Sequence, residues 1–291
     1  MNDEEVNFVN KDDFINKNQN ENNDNKENNE EIVERIKDNR KIILTVIIYL
    51  LLQFIVSGII AVFIAALYSS THKEIDYNSL LEAISKSNIE SLAENYKKAS
   101  ILINTYTNFL SYLMIFIALI LLCKKFFIKD LEALLKKPKF YAIFIPVAAI
   151  AFLVISTCID KFVSIWAKAN NNQSILELMI RSENGWMIVI MVVLFAPIIE
   201  EFVYRFAIFR FTKRFHIAIS YIASTILFAL PHVITTSIEE VGIGIWLLQT
   251  IPYLSSGVMF SLIYHKSNEN LYASICAHML NNLFAVILIF M

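Results

Sequence analysis

Residues 186–209 read Trp186-Met-Ile-Val-Ile-Met-Val-Val-Leu-Phe-Ala-Pro-Ile-Ile-Glu-Glu-Phe-Val-Tyr-Arg-Phe-Ala-Ile-Phe209. As a helix rising about 1.5 Å per residue, this run is long enough to cross a hydrocarbon core roughly 30 Å thick. Yet it carries Glu200, Glu201 and Arg205 in its second half. An ionised group near mid-bilayer costs roughly 2.5–3.5 kcal/mol on insertion scales, so such groups face protein or trapped water and mark function by default. The run therefore indicates a membrane helix with an active interior face.

The rest of the chain agrees. Apolar residues make up 56% of it and charged residues 18%. Further apolar stretches run over Ile42–Tyr68, Ile101–Cys123, Tyr141–Ile159, Ile217–Thr235, Ile243–Tyr264 and Leu271–Met291. With the stretch above they predict an all-α, polytopic transmembrane bundle of about seven spans. Pro146, Pro197, Pro231 and Pro252 fall inside them, which a membrane helix tolerates when neighbouring helices satisfy the freed carbonyls. The runs are continuous rather than alternating, which excludes a transmembrane barrel.

Residues 1–40 hold twelve acidic and six basic side chains and twelve Asn. Such a stretch buries too little apolar surface to offset its ordering entropy, so a disordered acidic tail is expected there. It has no basic start followed by a short apolar core, so it does not read as a secretory signal. Residues 41–185 are read as three N-terminal spans with their loops, and 186–291 as the transmembrane core that holds the interior polar residues. Lys and Arg cluster in Lys124–Lys139 and Arg210–Arg214, which predicts these loops, and the N-terminus, on the cytoplasmic side of a plasma-membrane protein. The segment Asn78–Lys98 has scattered apolar positions and is expected to form a short surface helix. No basic face alternates with aromatics, so nucleic acid is not expected as a partner. Cys123, Cys158 and Cys276 show no CxxC spacing and read as buried hydrophobes.

Polar residues interrupt the fourth, fifth and seventh spans selectively. Glu201 and Arg205 are four apart, acid toward the N-terminus, which favours a neutralising pair. Glu200 lies about 100° round the helix and is left without that partner. A carboxylate in a poorly hydrated pocket suits a general base or acid near neutral pH. Phe228 and His232 form an i, i+4 pair in the fifth span, and His278 and Asn282 another in the seventh. Tyr204 and Asn281 are second-tier candidates beside these motifs. Any one could be a structural polar contact between helices. One buried cluster accounts for all of them at once.

The ordered set Glu-Glu-x-x-x-Arg, Phe-x-x-x-His and His-x-x-x-Asn resembles the CPBP (Abi) family, which includes the CAAX prenyl endopeptidases and bacterial bacteriocin-processing and immunity proteins. The resemblance covers roughly Trp186–Phe290. It implies a catalytic cavity inside the bilayer, a water activated by Glu200, and His232, His278 and Asn282 completing the site. It implies a membrane-associated peptide or protein substrate, cleaved near its C-terminus. Glu201, Arg205 and Phe228 are supporting residues in this reading. His232, His278 and Glu200 are also a donor set for Zn²⁺ that leaves a position open for water. No His-Glu-x-x-His occurs, and the reading favours a glutamate mechanism without a cofactor, zinc being the alternative. The competing functions are a non-catalytic peptide-binding or immunity protein and a proton-coupled transporter. The depth of His232 is a difficulty: it lies fifteen residues into its span, beyond mid-membrane, whereas Glu200 and His278 are nearer the cytoplasmic ends.

Overall fold

The computed structural model of the chain describes residues 39–85, 92–168 and 170–291. The expected tail lies outside the described residues apart from Asn39 and Arg40, which are helical. The chain divides into residues 1–44 and 45–291, and the candidate site belongs wholly to the second unit.

The architecture is all helical, with no strand among the described residues. In chain order the main helices are α1 (Asn39–Thr71), α2 (Tyr77–Ser85), α3 (Glu94–Lys136), α4 (Pro138–Ser164), α5 (Asn171–Ile180), α6 (Gly185–Lys213), α7 (Ile217–Val233), α8 (Ile243–Lys266) and α9 (Leu271–Phe290). Six of them, α1, α3, α4, α6, α8 and α9, are long and apolar enough to cross a membrane. The seventh apolar helix, α7, has 17 residues and spans about 25 Å. Large apolar side chains face outward, including Phe63, Leu121 and Ile143, each more than 60% exposed. In water such surfaces would drive association, and hydrocarbon is the solvent they fit.

The basic stretch Lys124–Lys139 is not the loop that its charges predicted. Helix α3 continues through it to Lys136 and only a tight turn at Lys137 separates it from α4. The reason is packing. Phe126 and Phe127 are buried, and their rings lie 5.0 Å from Phe206 and 5.6 Å from Phe202 of α6. Beyond them Asp130 joins the ends of two helices. Its carboxylate accepts from the Leu271 amide at 2.8 Å, and its carbonyl accepts from the Asn270 side chain at 2.7 Å. The expected surface helix is two pieces, α2 and the start of α3, with residues 86–91 outside the described part. Asp76 caps α2 by accepting from the amide and hydroxyl of Ser79, both at 2.8 Å, and these bonds hold its carboxyl below the usual range. Leu80 and Ala83 are the buried residues of α2, and Leu80 packs in a cluster with Ala65, Ala99 and Ile103.

Helix α6 is not uniformly α. Wider π turns occupy Met191–Phe195 and Phe202–Phe209, and between them stands the α segment Ala196–Glu201. Pro197 gives one cause: its ring crowds the carbonyl four residues back, and a wider π turn relieves that clash. Each extra residue per turn also rotates the next segment of the helix, so the two acids face where a plain α-helix would not aim them.

Helices α7 and α8 approach closely at Gly257. A Cβ there would stand 2.9 Å from the Thr225 Cα. A hydroxyl ladder reinforces the contact: Ser261 donates to Ser224 at 3.2 Å, and Ser224 donates to the Tyr204 carbonyl of α6 at 2.9 Å. Gly257→Val therefore forces α7 and α8 apart and should destabilise the bundle by about 1–3 kcal/mol, the usual range for overpacking. Thermal unfolding in detergent reads this directly, and a wild-type melting curve would contradict the close approach.

Candidate active site

The polar residues of α6 and α9 meet in the interior. Glu201 and Arg205 are fully buried, and Glu200 and His278 are exposed by only 6% and 4%. Glu201 is the centre of the arrangement. Its Oε1 accepts from Nδ1 of His278 at 2.9 Å, and its Oε2 lies 3.3 Å from Nε of Arg205. The Arg205 contact is an ion pair rather than an aligned hydrogen bond. Arg205 is held otherwise: Nη2 donates to the Gly257 carbonyl at 3.3 Å, and the guanidinium lies over the rings of Phe228, at 4.6 Å, and Phe260, at 5.2 Å. The expected pairing of Glu201 with Arg205 is thus present, and Glu200 is left outside it.

Because a carboxylate only accepts, Nδ1 of His278 carries a proton and Nε2 is turned to the other side. There it stands 3.9 Å from Oε2 of Glu200. That gap is too long for a direct hydrogen bond and suits a bridging water-sized group. Phe260 stacks on the His278 ring at 4.2 Å and Phe228 meets it edge-on at 5.9 Å, so the imidazole has little freedom to turn.

His232 ends α7 on the same cavity. Its Nδ1 donates to the Phe228 carbonyl one turn back at 2.9 Å, which turns Nε2 away from its own helix. The ring stacks on Tyr253 at 4.7 Å and lies tilted against Phe228 at 5.0 Å. Two side chains tie down this end of α7. Asn170 donates to the His232 carbonyl at 3.0 Å, and the Trp246 indole donates to the Val233 carbonyl at 3.3 Å. The depth difficulty dissolves, because α6 runs to Lys213 rather than stopping at Arg210. Counted from the turn joining α6 to α7, Glu200 and His232 each lie roughly 20 Å along their helices.

A cavity of about 560 Å³ brings these groups together, lined among others by Glu200, His232, His278, Asn282, Tyr49 and Tyr112. Sequence reasoning missed the two tyrosines. Tyr112 of α3 shares the cavity wall with Glu200, and the Tyr49 hydroxyl lies 3.2 Å from that of Tyr204. Nothing in the sequence marks them, since tyrosine is an ordinary residue of apolar helices. Phe260 and Gly257 were missed as well. Gly257 had one available signal, as one of only five glycines in the chain. Asn282 lines the cavity, with its amide nitrogen donating to the Val192 carbonyl at 2.8 Å.

Residues 182–284 match the family described as type II CAAX prenyl endopeptidase, Rce1-like. The CAAX-endopeptidase resemblance is borne out. The matched stretch contains Glu200, Glu201, Arg205, Phe228, His232, His278 and Asn282. No curated protein and no solved structure matches the chain. A CAAX-endopeptidase-like segment on six membrane-length helices indicates an integral membrane protease, with peptide or protein as substrate.

If Glu201 anchors this cluster through its cation, Arg205→Met should cost about 3–5 kcal/mol, as breaking a buried pair does. Tyr49→Phe, which removes one neutral hydrogen bond, should cost about 1 kcal/mol. Denaturant titration in micelles compares the two, and equal effects would remove Glu201 from the centre.

Proposed function

We propose that the chain is an intramembrane endopeptidase of the CAAX type in which Glu200 activates water for attack on a peptide carbonyl. The observation that carries this reading is the pairing of Glu200 with Nε2 of His278 across 3.9 Å, while Glu201 fixes that imidazole from behind. A water held between them gives a proton to Glu200 as its oxygen attacks the scissile carbon. The resulting tetrahedral oxyanion needs donors, and His232 faces the cavity for this purpose. An imidazole Nε2 that carries a proton is such a donor. Glu200 then delivers its own proton to the leaving amine, and the C–N bond breaks. Residues 186–291 carry this chemistry, and α1, α3 and α4 close the cavity with Tyr49, Tyr112 and Ser156.

Zinc is the other way to activate water here. It needs three or more side-chain donors converging on one point. Among the described residues no group of three His, Cys, Asp or Glu is close enough to hold a metal ion. The donors do not fit the metal as they stand, and no step above uses one. Orientation follows the basic residues: Arg210, Lys213 and Arg214 belong on the cytoplasmic face, with the N-terminus.

The test uses purified full-length protein in detergent and a quenched fluorescent peptide ending in a prenylated CAAX sequence. Glu200→Gln should abolish cleavage while the protein stays folded, and His278→Ala should lower kcat by about 10²–10³, the range for loss of an oxyanion-type contact. Activity retained by Glu200→Gln would overturn the base assignment. A wild-type protein that binds the peptide without cleaving it would favour the binding function.

In the same assay, exhaustive dialysis against a chelator should leave the rate unchanged and metal analysis should find less than stoichiometric zinc. Stoichiometric zinc whose removal stops cleavage would replace the glutamate mechanism with a metal-assisted one.

A further inference from the structure

The first π turn of α6 leaves a backbone group in difficulty. In this turn the Ala196 amide bonds to the Met191 carbonyl, five residues back. Continued by one residue, the same pattern would pair the Val192 carbonyl with the amide of residue 197. That residue is Pro197, which has no N–H. The usual α partner of Val192, the Ala196 amide, is already engaged with Met191. The Val192 carbonyl is therefore orphaned by its own helix, on a residue only 8% exposed. A buried carbonyl without a donor costs about 1–3 kcal/mol.

Asn282 supplies the donor. Its amide nitrogen reaches the Val192 carbonyl at 2.8 Å. Because a carbonyl only accepts, this contact also fixes which way the Asn282 amide faces. Its oxygen in turn accepts from the Asn281 amide at 3.3 Å, and the Asn281 oxygen accepts from the Ser156 hydroxyl at 3.4 Å. The result is a directed chain, Asn281 to Asn282 to Val192, that joins α9 and α6, and α4 adds to it through the Ser156 hydroxyl, whose one proton is shared with the Leu153 carbonyl at 3.2 Å. It ends at the π turn that immediately precedes the segment Ala196–Glu201 bearing both acids.

We infer that Asn282 is a positioning residue: it stabilises the π turn that Pro197 requires, and so sets the rotation at which α6 presents Glu200 to the cavity. This rests on the endopeptidase reading for its effect on rate, and on backbone geometry alone for its effect on the helix. In this role Asn282 acts through Val192 and not on the substrate. Asn281 and Ser156 hold its amide in register.

A double-mutant cycle between Asn282 and Pro197 separates this from direct contact with substrate. In Pro197→Ala, residue 197 regains an N–H, and the Val192 carbonyl has a backbone donor in either an α or a π register. Asn282→Ala alone should lower the melting temperature of the full-length protein in detergent by roughly 2–4 °C. It should also speed amide hydrogen exchange over residues 191–197. In the Pro197→Ala background, Asn282→Ala should change neither. On the prenylated CAAX peptide, Asn282→Ala should lower kcat at least tenfold with KM changed less than twofold. The inference is overturned if Asn282→Ala lowers the melting temperature equally in both backgrounds. It is also overturned if Asn282→Ala abolishes cleavage with melting and exchange unaltered, which would assign Asn282 to the substrate. Absence of cleavage by the wild-type protein would sink the endopeptidase reading and leave the melting and exchange cycle to decide this inference.

Discussion

The interior of this bundle depends on one carboxylate shared between two bases. Glu201 takes an imidazole N–H on one oxygen and faces a guanidinium with the other, wholly out of contact with solvent. Leaving any of the three alone in that environment would be costly, so the three hold one another in place. Through them α6 is bound to α9, and through the Gly257 carbonyl and the Phe228 and Phe260 rings it is bound to α7 and α8. The catalytic proposal inherits its geometry from this bridge. His278 can offer Nε2 to Glu200 only because Nδ1 is already committed to Glu201.

The division of labour between the adjacent acids stems from helix geometry. Neighbours in sequence point about 100° apart, so Glu200 and Glu201 address different surroundings. One is enclosed with a cation and serves structure. The other is left at a cavity wall beside Tyr112, His278 and His232. Flanking π turns adjust that aim, and they use the flexibility of a membrane helix whose freed carbonyls find side-chain donors on its neighbours. Asn282 at Val192 and Ser224 at Tyr204 are two such donors.

Much of this was legible in the chain. The apolar runs gave the helices, and the seven cluster residues from Glu200 to Asn282 were each marked by their place in or beside polar positions that lipid discourages. The pairing of Glu201 with Arg205 was implied by their spacing. Other features left no trace. Basic residues suggested a loop at 124–139, but burial of Phe126 and Phe127 against α6 kept that stretch helical. The tyrosines beside Glu200 come from α1 and α3, distant in sequence and unremarkable in composition.

Residue order alone establishes a helical membrane protein and names the ionisable side chains that must face its interior, because hydrocarbon penalises an unpaired charge wherever it lies in the chain. It also places the CAAX-endopeptidase pattern in the last third. Helix packing settles a different matter, which oxygen meets which nitrogen: His278 bonds to Glu201 and turns its other face to Glu200, and Asn282 reaches the backbone of α6. Those contacts depend on how far each helix is rotated and where it is interrupted. Rotation is set by packing between helices far apart in the chain, which local spacing does not encode.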